Sequence, residues 1–191
     1  MGEISSPIDK RINVDRLPHK GGSFEIELTG DELERLATFN QLLSIDNFRA
    51  NIEVLRWKKY GFRIRGLIKA ELVQQCTVTL EPVPQSLSTN FEALFVPAGS
   101  KLSRPVLSES DQELIIDPEG DDPPEEFEPP WLDLGGIVQE FFALAIDPWP
   151  RHPSADDAVQ SASAASADHD DADEKENPFA ALAELSKRIG D

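Results

Sequence analysis

Cys76 is the single cysteine of the chain, so it is the one thiol available for nucleophilic or metal chemistry. A structural zinc site needs about four ligands, mostly Cys and His. The three histidines, His19, His152 and His169, lie far apart in the sequence. A nucleophile needs a neighbouring base, and the spacing assigns none. We therefore predict no catalytic residue, no metal ligand and no cofactor, and we interpret Cys76 as a structural thiol.

A row of basic residues offers the best candidates for binding a charged ligand. Its members would share one face of a strand, where side chains two residues apart lie about 6–7 Å from each other. Phosphate backbones prefer such a row. An ordinary solvated face, paired with acids such as Glu25 and Glu27, is the alternative interpretation. The candidate RNA or partner contacts are Lys59, Arg63, Arg65 and Lys69.

Acidic residues dominate the rest of the chain. The formal net charge is -18; the first 75 residues carry 12 basic and 11 acidic side chains, and the remainder carry 6 and 25. This balance argues against wholesale coating of nucleic acid but leaves room for a local basic face. The acidic runs at 121–126 and 168–176 lack the spacing of a calcium loop, and no phosphate-binding glycine pattern is present. A metal-dependent hydrolase or nuclease acting on RNA is the alternative function.

Alternating apolar and polar residues predict the strand that positions the basic row. Tyr60, Phe62, Ile64 and Leu72 would point inward from it. Further strands are expected at 7–14, 23–28, 45–57, 76–80, 87–95 and 113–116. Helical spacing predicts one helix at 31–40, capped by Thr29 or Asp31, and another after Asp133. The fold class is therefore α+β, with a mostly antiparallel sheet of five to seven strands and two packing helices.

The sequence divides into three parts. Residues 1–152 are predicted to form a single α+β domain, and the Ala/Ser/Asp-rich residues 153–177 a disordered acidic linker. Residues 178–191 are predicted to form a short amphipathic helix, suited either to a groove on a partner or to folding back on its own domain. Its apolar side comprises Phe179, Leu182, Leu185 and Ile189. With neither a secretory signal nor a membrane segment visible, we expect a cytoplasmic protein.

Four ordered segments of the chain resemble the large ribosomal RNA subunit accumulation protein family (YceD-like), in its alphaproteobacterial branch. The first is Pro18 with the glycine pair at 21–22, and the second is residues 73–83. The third runs from Asp133-Leu134 to Pro150, and the fourth covers residues 177–185. In the second segment the motif positions are Cys76, Thr79, Glu81 and Pro82.

The resemblance implies a non-enzymatic role in processing or accumulation of large-subunit (23S) ribosomal RNA during ribosome biogenesis. Ribosomal RNA or a ribosome-assembly protein would be the partner. Many members of the family carry Cys-x-x-Cys at the central motif and another cysteine after the last helix. Here Thr79 takes the second position, and Arg151-His152 follows the helix. The resemblance therefore brings no metal site with it.

Overall fold

A computed structural model describes residues 6–100, 102 and 123–156 of this protein. The strand predicted at 113–116, the linker beyond residue 156 and the terminal helix at 178–191 lie outside the described residues.

The described chain forms an α+β fold, as the sequence predicts. Its helices are α1 (Asp31–Phe39) and α2 (Leu134–Ala145), and a 3-10 turn covers Val14–Arg16. The strands are β1 (Arg11–Asn13), β2 (Gly22–Glu27), β3 (Ser44–Trp57), β4 (Gly61–Gln75), β5 (Pro82–Pro97), β6 (Glu125–Phe127) and β7 (Trp131–Asp133).

Most strands belong to one sheet with the order β2-β3-β4-β5-β6, while β1 and β7 pair separately. All neighbours are antiparallel except β5 and β6, which are parallel. The ladder between β4 and β5 is regular, running from Phe62 opposite Phe95 to Gln75 opposite Pro82. These long central strands position everything discussed below.

One face of the sheet is packed against the helices and forms the core. Period-two alternation places Val54, Ile64 and Ile68 on this face, and each is completely buried. The ring of Phe142 on α2 packs edge-on against Phe48 on β3, with ring centroids 5.2 Å apart. The opposite face of the sheet carries the charged residues and faces solvent.

Several local predictions were wrong. Tyr60 was expected to point inward, but it lies in the turn before β4 and is 61% exposed. Residues 76–80 form a turn instead of a strand, because their backbone groups bond to one another and to the segment after α2. Gly30, and neither Thr29 nor Asp31, is the N-cap of α1. Strand β6 was not predicted, because three residues between prolines are too few to show an alternation of apolar and polar side chains.

Candidate functional site

The central sequence motif folds into a tight turn between β4 and β5. The N–H of Cys76 donates to the carbonyl of Glu81 (2.8 Å), and the N–H of Leu80 donates to the carbonyl of Cys76 (3.1 Å). Leu80 has a φ of 64°, an uncommon value for a residue with a side chain. Its side chain is 64% exposed, so the apolar alternation of this segment does not reflect burial. We call residues 76–81, together with the facing residues 150–154, the Cys76 knuckle.

The thiol of Cys76 is the centre of the knuckle. It accepts backbone N–H groups from Val78 (3.4 Å), Thr79 (3.4 Å) and His152 (3.3 Å), and its residue is 0% exposed. Burial raises the pKa of the thiol. The N–H of His152, the Thr79 side chain and the N–H groups of Thr79 and Val78 outweigh that effect and lower the pKa to about 6. The backbone donors around the sulfur therefore favour its thiolate form.

The knuckle also holds the chain that follows α2. The N–H and the hydroxyl of Thr77 both donate to the carbonyl of Pro150, at 3.0 and 3.3 Å. The buried side-chain amide of Gln74, at the end of β4, donates to the carbonyl of Asp147 at 2.9 Å. The segment between residues 147 and 152 is thus fixed to the end of the sheet by hydrogen bonds.

A polar network covers the outer side of the knuckle. The hydroxyl of Ser154 donates to Glu81 Oε2 (2.7 Å), and His152 Nδ1 lies 2.8 Å from the same hydroxyl and 3.1 Å from Glu81 Oε2. The hydrogen bond from Ser154, followed by that from Thr79, lowers the pKa of the Glu81 carboxyl. Thr79 and Glu81, two predicted motif residues, therefore stabilise this network, and Pro82 begins β5 directly after it.

The second motif builds the start of α2. Asp133 is the N-cap, and its carboxylate accepts the N–H of Gly136 at 3.1 Å. Leu134 is completely buried in the core. A side chain at Gly135 would collide with the carbonyl of Ile8, because the N-terminal segment crosses the helix there and Lys10 accepts the N–H of Gly135 (3.0 Å). This motif is explained by packing and capping.

The predicted basic row lies on the solvent face, but two of its members are already paired. Arg65 is 2.8 Å from Glu53, and Arg63 is 3.4 Å from Glu92. The ammonium group of Lys59 lies 5.1 Å from the Tyr60 ring, in the turn before β4. Lys69 is opposite Arg49 on β3 and Ser88 on β5.

The acids expected to pair with this row bind elsewhere. Glu25 and Glu27 lie 3.3 and 3.0 Å from Arg49. A surface hollow of about 840 Å³ beside Arg65 is also lined by Glu53 and Glu92. The face is therefore a mixture of both charges, and in the described chain Lys59 and Lys69 are the members of the row without a carboxylate partner.

Comparison with known families places these motifs in context. Residues 64–186 match the family described as large ribosomal RNA subunit accumulation protein YceD. The chain belongs to this family. No curated protein and no solved structure matches the sequence. The alphaproteobacterial branch suggested by the sequence stays a prediction.

The region matched to the YceD family begins inside β4 and contains the Cys76 knuckle, β5 and α2. Its predicted terminal contacts, Phe179, Leu182 and Leu185, together with Ile189 beyond it, lie outside the described residues. Within the described part of the chain, no helix is long and apolar enough to cross a membrane.

The knuckle does not fit a tetrahedral zinc site. Thr79 carries no thiolate, and the ring nitrogen of His152 faces Ser154 and Glu81. No group of three or more His, Cys, Asp or Glu side chains that could hold a metal is found among residues 6–100, 102 and 123–156. Backbone N–H groups hold the Cys76 sulfur in this protein.

Sequence reasoning missed His152 and Ser154 as members of the knuckle. Both are some 75 positions from the residues that they contact, and histidine spacing alone gives no hint of this proximity. The useful signal was the resemblance, which implied a motif position at Arg151-His152 after the last helix. That signal identified the place but not the contact, which is made by the backbone N–H.

Proposed function

We propose that this YceD-family protein supports the accumulation of large-subunit ribosomal RNA in the cytoplasm as a non-catalytic binding factor. The match to the YceD family over residues 64–186 carries this proposal. The matched region includes the Cys76 knuckle and α2, whose motif residues hold the fold together through hydrogen bonds and a helix cap.

The environment of Cys76 supports a structural rather than a nucleophilic role. Its sulfur is completely buried and accepts three backbone N–H groups. A reactive cysteine is a thiolate that a substrate can reach. Here the sulfur is stabilised by hydrogen bonds but enclosed, so it can hold the turn after β4 and the segment after α2 together.

The charge distribution favours a protein partner over direct contact with RNA. Arg63 and Arg65 have carboxylate neighbours at 3.4 and 2.8 Å, and those carboxylates would face any phosphate placed on the row. The whole chain carries a net charge of -18, which repels RNA at long range and attracts basic proteins. Ribosome-associated proteins with basic segments therefore suit this surface better than a phosphate backbone.

Deletion of the gene tests the proposal. We expect the ratio of large- to small-subunit ribosomal RNA to fall, and expression of the full chain to restore it. A Cys76→Ala chain that is folded and present at normal levels should restore the ratio at least in part, because the thiol does no chemistry and its loss only weakens the docking of the chain around His152. A normal ratio and normal ribosome profiles in the deletion strain would refute the proposal.

Purified protein tests the non-catalytic part of the proposal separately. We expect no cleavage of large-subunit RNA precursors with or without added Mg²⁺ or Mn²⁺. If the wild-type protein cleaves the RNA and replacement of one acidic residue abolishes the cleavage, the protein is instead a metal-dependent nuclease.

A further inference from the structure

The outer edge of β5 is a long strand edge that, among the residues the structure describes, is paired only at its C-terminal end. β4 pairs with the inner edge of β5 from Pro82 to Phe95. On the outer edge, β6 pairs only with residues 95–97, and within the described chain no strand pairs with residues 82–94 there. Such an edge presents N–H and C=O groups that can accept another strand.

The direction of these backbone groups follows from the alternation along β5. The N–H of Ala98 donates outward to the carbonyl of Phe127 at 2.9 Å. In a regular ladder, residues of the same parity point their N–H and C=O groups the same way. Pro82 and Pro84 are even-numbered like Ala98, so the N–H groups that they lack would point away from β4. The ladder between β4 and β5 therefore loses no hydrogen bond at the two prolines. The outward residues on the free stretch are Ser86, Ser88, Asn90 and Glu92.

A groove accompanies this edge. A hollow of about 330 Å³ lies between residues 85–89 of β5 and the end of α2, where Ala145 and Asp147 line it. Leu87 in the groove is partly buried, and Leu144, next to Ala145, is 74% exposed. An edge with free backbone groups beside a hollow for alternate side chains is the geometry used for strand addition.

The charges around the groove are mainly negative. Asp147 lines the hollow, whereas the Glu92 side chain lies on the solvent face of the sheet, 3.4 Å from Arg63. Glu125 lies just beyond the free stretch, and burial together with the charge of nearby Glu140 raises the pKa of the Glu125 carboxyl. The basic residues of β4 beside this stretch, Lys69 opposite Ser88 and Arg65 opposite Glu92, lie on the solvent face of the sheet, away from the groove. The balance favours a cationic partner and disfavours phosphate.

We propose that the outer edge of β5 binds an extended, lysine- or arginine-containing segment of a protein partner. The segment adds to the sheet as a strand along residues 86–92, in line with β6. Its backbone pairs with the outward groups of β5, alternate side chains enter the groove beside Leu87 and Leu144, and its cations lie near Asp147 and Glu140. This inference rests on the proposed function and names the class of partner.

Binding of defined probes to the purified full-length chain tests the inference. The probes are a fluorescent decapeptide of alternating lysine and valine, its counterpart with glutamate, and a short single-stranded RNA, each titrated by fluorescence anisotropy. We expect the lysine peptide to bind, and the glutamate peptide and the RNA to bind much more weakly. Amide exchange of Ser86, Ser88 and Asn90 should slow when the lysine peptide is bound.

Variants of Ser88 test the edge itself. Ser88→Pro removes an outward N–H that β4 does not use, so the fold is retained while strand addition is blocked. We expect this variant to weaken peptide binding by at least about tenfold, whereas Ser88→Ala, which keeps the N–H, changes it by less than about twofold. If Ser88→Pro fails to fold, Glu140→Lys tests the negative charge around the groove. Glu34→Lys, at an exposed position of α1, is its matched control.

Three results would overturn the inference. They are no binding of the lysine peptide, unchanged binding by folded Ser88→Pro, and RNA bound more tightly than the peptide. A failure of the proposed function is distinguishable, because it appears as a normal ribosomal RNA ratio in the deletion strain. If folded Ser88→Pro loses the peptide but fully restores that ratio, edge binding is not the means by which the protein acts.

Discussion

The salt dependence of RNA binding decides whether the basic row contacts RNA. Each phosphate that a Lys or Arg neutralises on a single strand contributes about -0.7 to the slope of log K against log salt. If all four residues of the row contacted phosphate, the slope would be about -2.8, and raising salt from about 50 to about 200 mM would weaken binding about fiftyfold. Because Arg63 and Arg65 are paired with Glu92 and Glu53, we expect only Lys59 and Lys69 to contribute.

Two unpaired cations predict a slope of about -1.4 and a loss of about sevenfold over the same salt range. The assay is fluorescence anisotropy with a labelled single-stranded fragment of large-subunit ribosomal RNA. Arg63→Gln/Arg65→Gln should leave this slope nearly unchanged. The exposed ion pairs that it removes stabilise the fold by only about 0.2–1 kcal/mol each, so the variant should stay folded.

The matched control is Arg16→Gln/Arg35→Gln, which makes the same change in net charge at exposed positions away from the row. Both double variants should weaken RNA binding equally, through the overall charge alone. A wild-type slope near -2.8 that halves in Arg63→Gln/Arg65→Gln but not in the control would refute the reasoning and establish the row as an RNA contact.

Three further predictions concern the family motifs. Asp133→Ala should lower the free energy of unfolding by about 1 kcal/mol in urea titrations, because the N–H of Gly136 loses its cap, while Asp133→Asn should cost less. Gly135→Ala should destabilise the fold by about 1–3 kcal/mol and expose Ile8 to hydrogen exchange, since the added methyl meets the Ile8 carbonyl; an unchanged stability would contradict the close crossing. The stabilisation lost in Cys76→Ser should depend on pH. Because the folded pKa of about 6 lies below the unfolded value, the pH-dependent part of the wild-type advantage is full above about pH 8.5 and disappears as the pH falls through 6. An advantage that grows on acidification would show that the thiolate is not stabilised.

The sequence predicted the central elements of the fold because their signals are long and regular. The alternation around Ile64 and Ile68 identified β4 and its buried face, and the three-and-four spacing after Asp133 identified α2 together with its cap. The same alternation misled at Cys76, where Val78 and Leu80 continue the period but lie in an exposed turn. Period-two patterns describe burial only where a ladder partner exists, and the chain turns back at that point.

The candidate sites were harder to predict because they depend on contacts between distant residues. Arg63, Arg65 and Lys69 lie on the solvent face of β4, whereas Lys59, predicted on the same strand face, lies in the turn before it. The pairing of the two arginines with Glu92 and Glu53 depends on the register of three strands. The free edge of β5 is likewise invisible in a single sequence. The strand was predicted only from residue 87, although in the structure it begins at Pro82, and Pro82 and Pro84 occupy positions that tolerate a missing N–H.

The Cys76 knuckle and the β5 groove are parts of one arrangement. The amide of Gln74 holds the carbonyl of Asp147, and Thr77 holds that of Pro150, so hydrogen bonds at the knuckle fix the chain that forms one wall of the groove. A buried thiolate needs donors, and the N–H of His152 satisfies it only while that chain stays docked. Loss of the thiolate should therefore loosen the groove wall as well as the fold. In this view the central motif acts on binding at a distance, by positioning Asp147 beside the edge that we propose accepts the partner.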